Sequence, residues 1–261
     1  MLIMVLDVGN TTTDIGLYKG DELSLRFHLS TNPLRPPAEY MALLQGLFAA
    51  HGINRGSVKG AALSSVVPPA EETIIETCRT YLNCVPLLIS SRLDLGFKTL
   101  YEAPQMLGAD RLANTAGALA KYGKPAIVVD LGTATKCEAL SAAGEHLGGL
   151  IAPGVGISLD ALAQRAAKLP RIDLRGAGDQ VIARNTTDAI RSGVIHGTCS
   201  LVDGLVRKIK KEMGEPHPTV IATGGYAYIL ENRSAEVKII DDRLTLDGIY
   251  FLYQRNKAAT I

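Results

Sequence analysis

A seven-residue pattern occurs twice in the chain and limits the possible folds more than any other feature. Leu6-Asp7-Val8-Gly9-Asn10-Thr11-Thr12 and Val129-Asp130-Leu131-Gly132-Thr133-Ala134-Thr135 both read apolar, Asp, apolar, Gly, Asn or Thr, small, Thr. Each follows an apolar run with strand character, Leu2 to Leu6 in one case and Ile127 to Val129 in the other. One copy alone fits an ordinary Asp-Gly hairpin. Two copies, each opening a similar succession of elements, predict a duplicated domain.

After the first copy, Thr11 to Tyr18 reads as a second strand, since the threonines favour extended backbone and Gly9 permits the turn. Gly20-Asp21 marks another hairpin and Leu23 to Leu29 a third strand, which Pro33, Pro36 and Pro37 close off. Tyr40, Leu43, Leu44, Leu47 and Phe48 fall on one helical face. Ala61 to Val67 is a further strand, and Ile74, Ile75, Cys78 and Leu82 form a second helical stripe. This β-β-β-α-β-α order is ribonuclease-H-like and not that of a Rossmann fold. The second round has a hairpin from Ile127 through Leu140, a strand around Gly148 to Leu150 and helices from Ser158 onward. A long helix from Thr187 to Met213, a strand from Thr219 to Thr223 and a last helix from Leu246 to Asn256 complete it.

The expected fold is therefore α/β, with two ribonuclease-H-like (actin-like ATPase) domains, mixed sheets flanked by helices, and a nucleotide cleft between them. The domains are expected at 1-109 and 110-261, with the last helix free to pack back on the first. Gly193, Gly197 and Gly204 interrupt the long helix, each at a cost of about 1 kcal/mol against Ala. Close packing against a neighbour is the usual compensation. A central helix wedged inside its domain is expected, with dimer contact as the alternative.

The repeated pattern suits phosphate binding. Glycine lets backbone N–H groups approach a phosphate, the following hydroxyls add donors, and a strand-end Asp can hold magnesium through its water shell. Val220-Ile221-Ala222-Thr223-Gly224-Gly225-Tyr226 runs a third strand into a glycine pair suited to adenosine, and no G-x-x-x-x-G-K-[ST] phosphate loop is present. Charge excludes some partners: 27 Lys plus Arg against 26 Asp plus Glu leave a formal +1, which announces neither nucleic acid nor membrane. Asp7 interrupts the apolar start too early for a signal peptide. Cys78, Cys84, Cys137 and Cys199 lack C-x-x-C spacing, so reduced thiols in a cytoplasm are expected. The five histidines are scattered and suggest no zinc site.

Nearly end to end, the chain resembles the type III pantothenate kinases. The family's D-V-G-N-T is Asp7 to Thr11, its S-S-V-V-P is Ser64 to Pro68, and its G-A-D-R is Gly108-Ala109-Asp110-Arg111. D-x-G-T-A-T is Asp130 to Thr135 and G-G-x-I-x-P-G is Gly148 to Gly154. Leu169-Pro170, Asn185-Thr186, Thr223-Gly224-Gly225 and Leu244-Thr245-Leu246 follow in order. Any one of these is common, but the ordered set is specific.

The resemblance implies transfer of the ATP γ-phosphoryl group to pantothenate, the first step toward coenzyme A, in a homodimer. It implies Asp110 as general base, and Tyr101, Gly108, Ala109, Asp110, Arg111 and Thr186 at the pantothenate, with Thr186 reaching the partner subunit's site. ATP is expected against Asp7, Val8, Gly9, Asn10, Thr11, Thr12, Thr13, Asp14, Thr133, Gly224 and Gly225. Magnesium is expected at Asp7 through water, and a monovalent cation, potassium or ammonium, at Asp130. The chain departs from the family at Lys136-Cys137-Glu138, where A-T-T-F-D is usual. Lys136 puts the need for that cation in question and has two readings: its ammonium group partly replaces the cation beside Asp130, or, if Thr133 and Thr135 face the nucleotide, strand alternation turns it away as a surface lysine, which is the preferred expectation. Two rival readings are a kinase of another small alcohol and a non-catalytic ligand-sensing relative.

Overall fold

The computed structural model describes residues 1–166, 169–174 and 180–257. The chain divides into two compact units, Met1–Lys121 with Arg243–Ile261, and Tyr122–Asp242. In the first unit, strands β1 (Leu2–Val8), β2 (Thr12–Lys19), β3 (Glu22–Ser30), β4 (Val58–Ser65) and β5 (Leu87–Leu88) form a sheet in the order β3-β2-β1-β4-β5. β1 is antiparallel to β2 and parallel to β4. A further two-residue strand, β6 (Lys98–Thr99), precedes the helix that opens at Ala109.

Alternation along β1 assigns its two faces. Met4, Leu6 and Val8 pack with Tyr40, Leu44 and Phe48 of α1 (Pro37–Ala50) and Ile74 of α2 (Pro68–Thr77). Ile3 and Val5 turn the other way, toward Leu112, Ala113 and Ala116 of α3 (Ala109–Tyr122) and Leu246 and Ile249 of α6 (Leu244–Asn256). Both α1 and α2 start with proline, whose fixed φ suits a first turn and whose missing N–H is not needed there. α3 and α6 meet backbone to backbone. A Cβ added to Gly248 would overlap the Ala113 carbonyl oxygen, and one added to Gly117 would lie 2.5 Å from the Leu244 oxygen. The last helix is thus part of the first unit.

In the second unit, β7 (Ala126–Leu131), β8 (Ala134–Leu140), β9 (Glu145–Pro153), β10 (Thr219–Thr223) and β11 (Ile239–Ile240) run in the order β9-β8-β7-β10-β11. β7 is antiparallel to β8 and parallel to β10. Strand for strand, this repeats the β3-β2-β1-β4-β5 arrangement, as the sequence duplication predicts. Ile127, Val129 and Leu131 pack with Ile190, Val194, Ile195 and Val202 of α5 (Thr186–Met213), and α4 (Val155–Arg165) adds Leu159. Asn185 caps α5 by accepting from the Asp188 N–H at 2.9 Å, and Gly214 ends it in the left-handed region.

The buried face of α5 does not include its glycines. A Cβ built on Gly193, Gly197 or Gly204 meets nothing within 4 Å. Tight packing inside the domain therefore does not explain them, contrary to the preferred sequence expectation. Gly193 and Gly197 instead line a groove of about 540 Å³ with Leu162, Leu169, Thr186 and Leu201.

Candidate active site

The tip of the first hairpin is tied down by its own backbone. Gly9 N–H donates to the Thr12 carbonyl at 3.0 Å, and Thr31 Oγ1 donates to the Gly9 carbonyl at 2.7 Å. Asn10, Thr11 and Thr12 are left exposed at the tip, where hydroxyls and amides can meet an anion. Val8 is buried in the core, and buried Thr13 shares a hydrogen bond with Thr31 at 2.9 Å. Neither side chain reaches solvent, so only their backbones are open to a ligand. Thr31, which stitches the turn shut, carried no signal in the sequence because it lies some twenty residues away, just past the end of β3.

Asp7 shares the β1 face of Ile3 and Val5 and accepts from Ser64 Oγ at 2.7 Å. Ser64 lies in the S-S-V-V-P match but received no role in the sequence reading. Directly across β2 stands Asp14, held by Arg26 at 3.0 Å and by His28. Two carboxylates opposite one another repel, and the Arg26 guanidinium offsets this by meeting the Asp14 charge. Among the described residues no group of three or more His, Cys, Asp or Glu could hold a metal.

Asp110 stands in the first turn of α3, where the helix N-terminus favours negative charge. Its carboxylate accepts from the Arg111 N–H at 2.8 Å and folds over Gly108, where an added Cβ would lie 2.5 Å from Asp110 Oδ1. Val66, just beyond β4, also borders that glycine at 3.8 Å. Asp110 thus belongs to the same sheet end as Ser64 and Asp7. Arg111 is 6% exposed, and its guanidinium lies 5.3 Å from the centre of the Tyr101 ring. Ala109 is buried beside them.

The second hairpin copies the first with one difference. Gly132 N–H donates to the Ala134 carbonyl at 3.1 Å, and Thr133 is exposed at the tip. Here Leu131 pairs with Thr135, leaving three tip residues, whereas Val8 pairs with Thr13 and leaves four. The shorter tip turns Thr135 into the core, where it is 1% exposed. It also sets Lys136 directly opposite Asp130 on the other face. Lys136 Nζ lies 2.9 Å from Asp130 Oδ2, with side chains 17% and 14% exposed. The expectation of a surface lysine assumed that Thr135 faced the nucleotide, and the register reverses that parity. The neighbouring Cys137 thiol is pushed up to about 12, by burial first and then by Glu138 and Asp130, so it stays protonated.

The first glycine of the pair packs against the same carboxylate. Gly224 has φ +92°, and a Cβ there would lie 2.5 Å from Asp130 Oδ1 and 2.7 Å from the Leu131 backbone. Only glycine fits this position. Gly225 is exposed with open space around it. Thr186 is exposed at the start of α5, on the rim of the glycine-lined groove. No helix among the described residues is long and apolar enough to cross a membrane.

A duplicated sheet in which each copy ends in an Asp-Gly hairpin is the arrangement of the actin-like ATPase and sugar-kinase fold. Two solved structures share that fold. An activator of 2-hydroxyisocaproyl-CoA dehydratase from Clostridium difficile, with bound ADPNP, has a TM-score of 0.60 at 15% identity, over 99% of this chain and 97% of that one. A ROK family glucokinase from Streptomyces griseus has a TM-score of 0.56 at 12% identity, over 95% and 98%. Sequence similarity is more specific. Residues 3–208 match the type III pantothenate kinase family. A type III pantothenate kinase of Brevibacillus brevis is 40% identical over 257 residues, 98% of this chain and 100% of that protein. The chain belongs to the type III pantothenate kinase family.

Proposed function

We propose that the chain catalyses ATP-dependent phosphorylation of pantothenate to 4'-phosphopantothenate, the first step of coenzyme A biosynthesis. The observation that carries this reading is family membership sustained across 98% of the chain at 40% identity. The pantothenate primary hydroxyl oxygen attacks the γ-phosphorus, forming the new O–P bond as the bond to the ADP oxygen breaks. Asp110 takes the hydroxyl proton. Arg111, a planar two-pronged donor, is suited to the pantothenate carboxylate, with Tyr101 supporting it from the ring face. Gly108 and Ala109 let substrate approach the backbone.

Asn10, Thr11 and Thr12 offer donors to the ATP phosphates, and Asp7 suits magnesium carried in with them and held through its water shell. Magnesium, when bound, neutralises charge on the phosphate oxygens. Thr133 and the Gly224-Gly225 turn serve the nucleotide from the second hairpin. Purified protein should turn over ATP only when pantothenate is added. Equal turnover without pantothenate would sink this reading, and turnover with another alcohol alone would favour the rival kinase. Four free thiols agree with a cytoplasmic setting.

The open glycine face of α5 supports a homodimer, because small residues allow a second helix to approach closely. Thr186 on the same groove would then reach the partner subunit's pantothenate site. Sedimentation at micromolar concentration should give a dimer, and Thr186→Ala should raise the KM for pantothenate. A fully active monomer contradicts both statements.

A further inference from the structure

We propose that the Lys136 ammonium serves as the built-in counter-ion of Asp130, so that this chain needs no monovalent cation to hold its second hairpin in nucleotide-binding form. The inference rests on the reading above that this hairpin contacts ATP. The duplication supplies the internal comparison. In the first sheet the residue opposite the strand-end Asp is Asp14, a second carboxylate, and the cation that meets it comes from β3, where Arg26 lies 3.0 Å away. In the second, the residue opposite Asp130 is Lys136, and the pair neutralises itself at 2.9 Å. One fewer residue in the hairpin tip brings the lysine to this register.

The carboxylate is confined on its other side as well. Gly224, in a conformation only glycine adopts readily, packs 2.5 Å from Asp130 Oδ1 as measured from an added Cβ, and Tyr226 N–H donates to the Leu131 carbonyl at 3.0 Å. Asp130 is thus packed against the Thr223-Gly224-Gly225 turn. A largely buried carboxylate requires a neutralising partner. A potassium or ammonium ion could supply that charge, but here it would have to sit beside an ammonium group already in place. The residues present do not fit an additional cation. Lys136 already supplies the charge that a solvent ion would otherwise bring.

The test uses the full-length protein in choline, sodium, potassium and ammonium chloride at equal ionic strength. ATP affinity with magnesium is measured by calorimetry, and Tm is measured without ATP. The parent should bind ATP within threefold in all four salts and melt at one temperature. Lys136→Thr should bind about tenfold more weakly in choline, the loss of one hydrogen bond to a charged group. Potassium or ammonium should restore both its affinity and its Tm. Lys136→Arg keeps the charge and should remain indifferent to salt. A parent whose affinity rises more than threefold in potassium or ammonium overturns the proposal without need of any variant. A Lys136→Thr protein whose loss no cation restores also overturns it, because the lysine would then be only a cross-strand tie. Absence of ATP binding in every salt would overturn the nucleotide reading, and this inference with it.

Discussion

Asp110→Asn should lower kcat by about 10²–10⁴, the usual contribution of a general base, while ATP binding stays within a few-fold of the parent. The substitution preserves volume and can still accept the Arg111 N–H that the carboxylate now accepts at 2.8 Å, so the start of α3 should keep its shape. What it removes is the ability to take a proton from the substrate hydroxyl. Parallel measurement of kcat and of ATP affinity separates this outcome from misfolding. A kcat within a few-fold of the parent would exclude Asp110 as the base, and Asp7, on the same sheet end, would be the next carboxylate to test.

Gly248→Ala should destabilise the protein by about 1–3 kcal/mol, the range for overpacked cores, and should reduce activity although it lies outside the site. An added Cβ overlaps the Ala113 carbonyl oxygen and lies 2.9 Å from the Gly117 nitrogen, both backbone atoms of α3. A backbone carbonyl cannot rotate away as a side chain would, so α3 and α6 must separate. Because α3 carries Asp110 and Arg111 in its first turn, that separation displaces the proposed base and carboxylate fork together. Thermal melting and steady-state kinetics on the variant test both parts. An unchanged melt would show that the two helices tolerate the methyl group, and unchanged kinetics would show that the site does not depend on their spacing.

The repeated Asp-Gly pattern predicted the duplication, and the order of strand and helix stripes around it predicted the ribonuclease-H-like topology. Strand, turn and hydroxyl preferences are local, and each copy carries all of them within seven residues. The long helix was legible for the same reason, and α5 begins within one residue of its expected start. The ordered motifs likewise singled out Asp110, Arg111, Thr133 and the glycine pair before any coordinates.

What depends on pairing between distant segments was left to the tertiary structure. Thr31 closing the Gly9 turn and Ser64 donating to Asp7 each join residues far apart in sequence, and no local preference encodes such bonds. Gly193, Gly197 and Gly204 read alike whether a helix packs inside its domain or against a partner, and only the open space beside them distinguishes the two. Lys136 shows the same limit most sharply. Alternation is certain along a strand, but which parity faces the core depends on how many residues the turn consumes. A tip of three residues rather than four reverses the parity expected for Lys136, and places its ammonium group against Asp130.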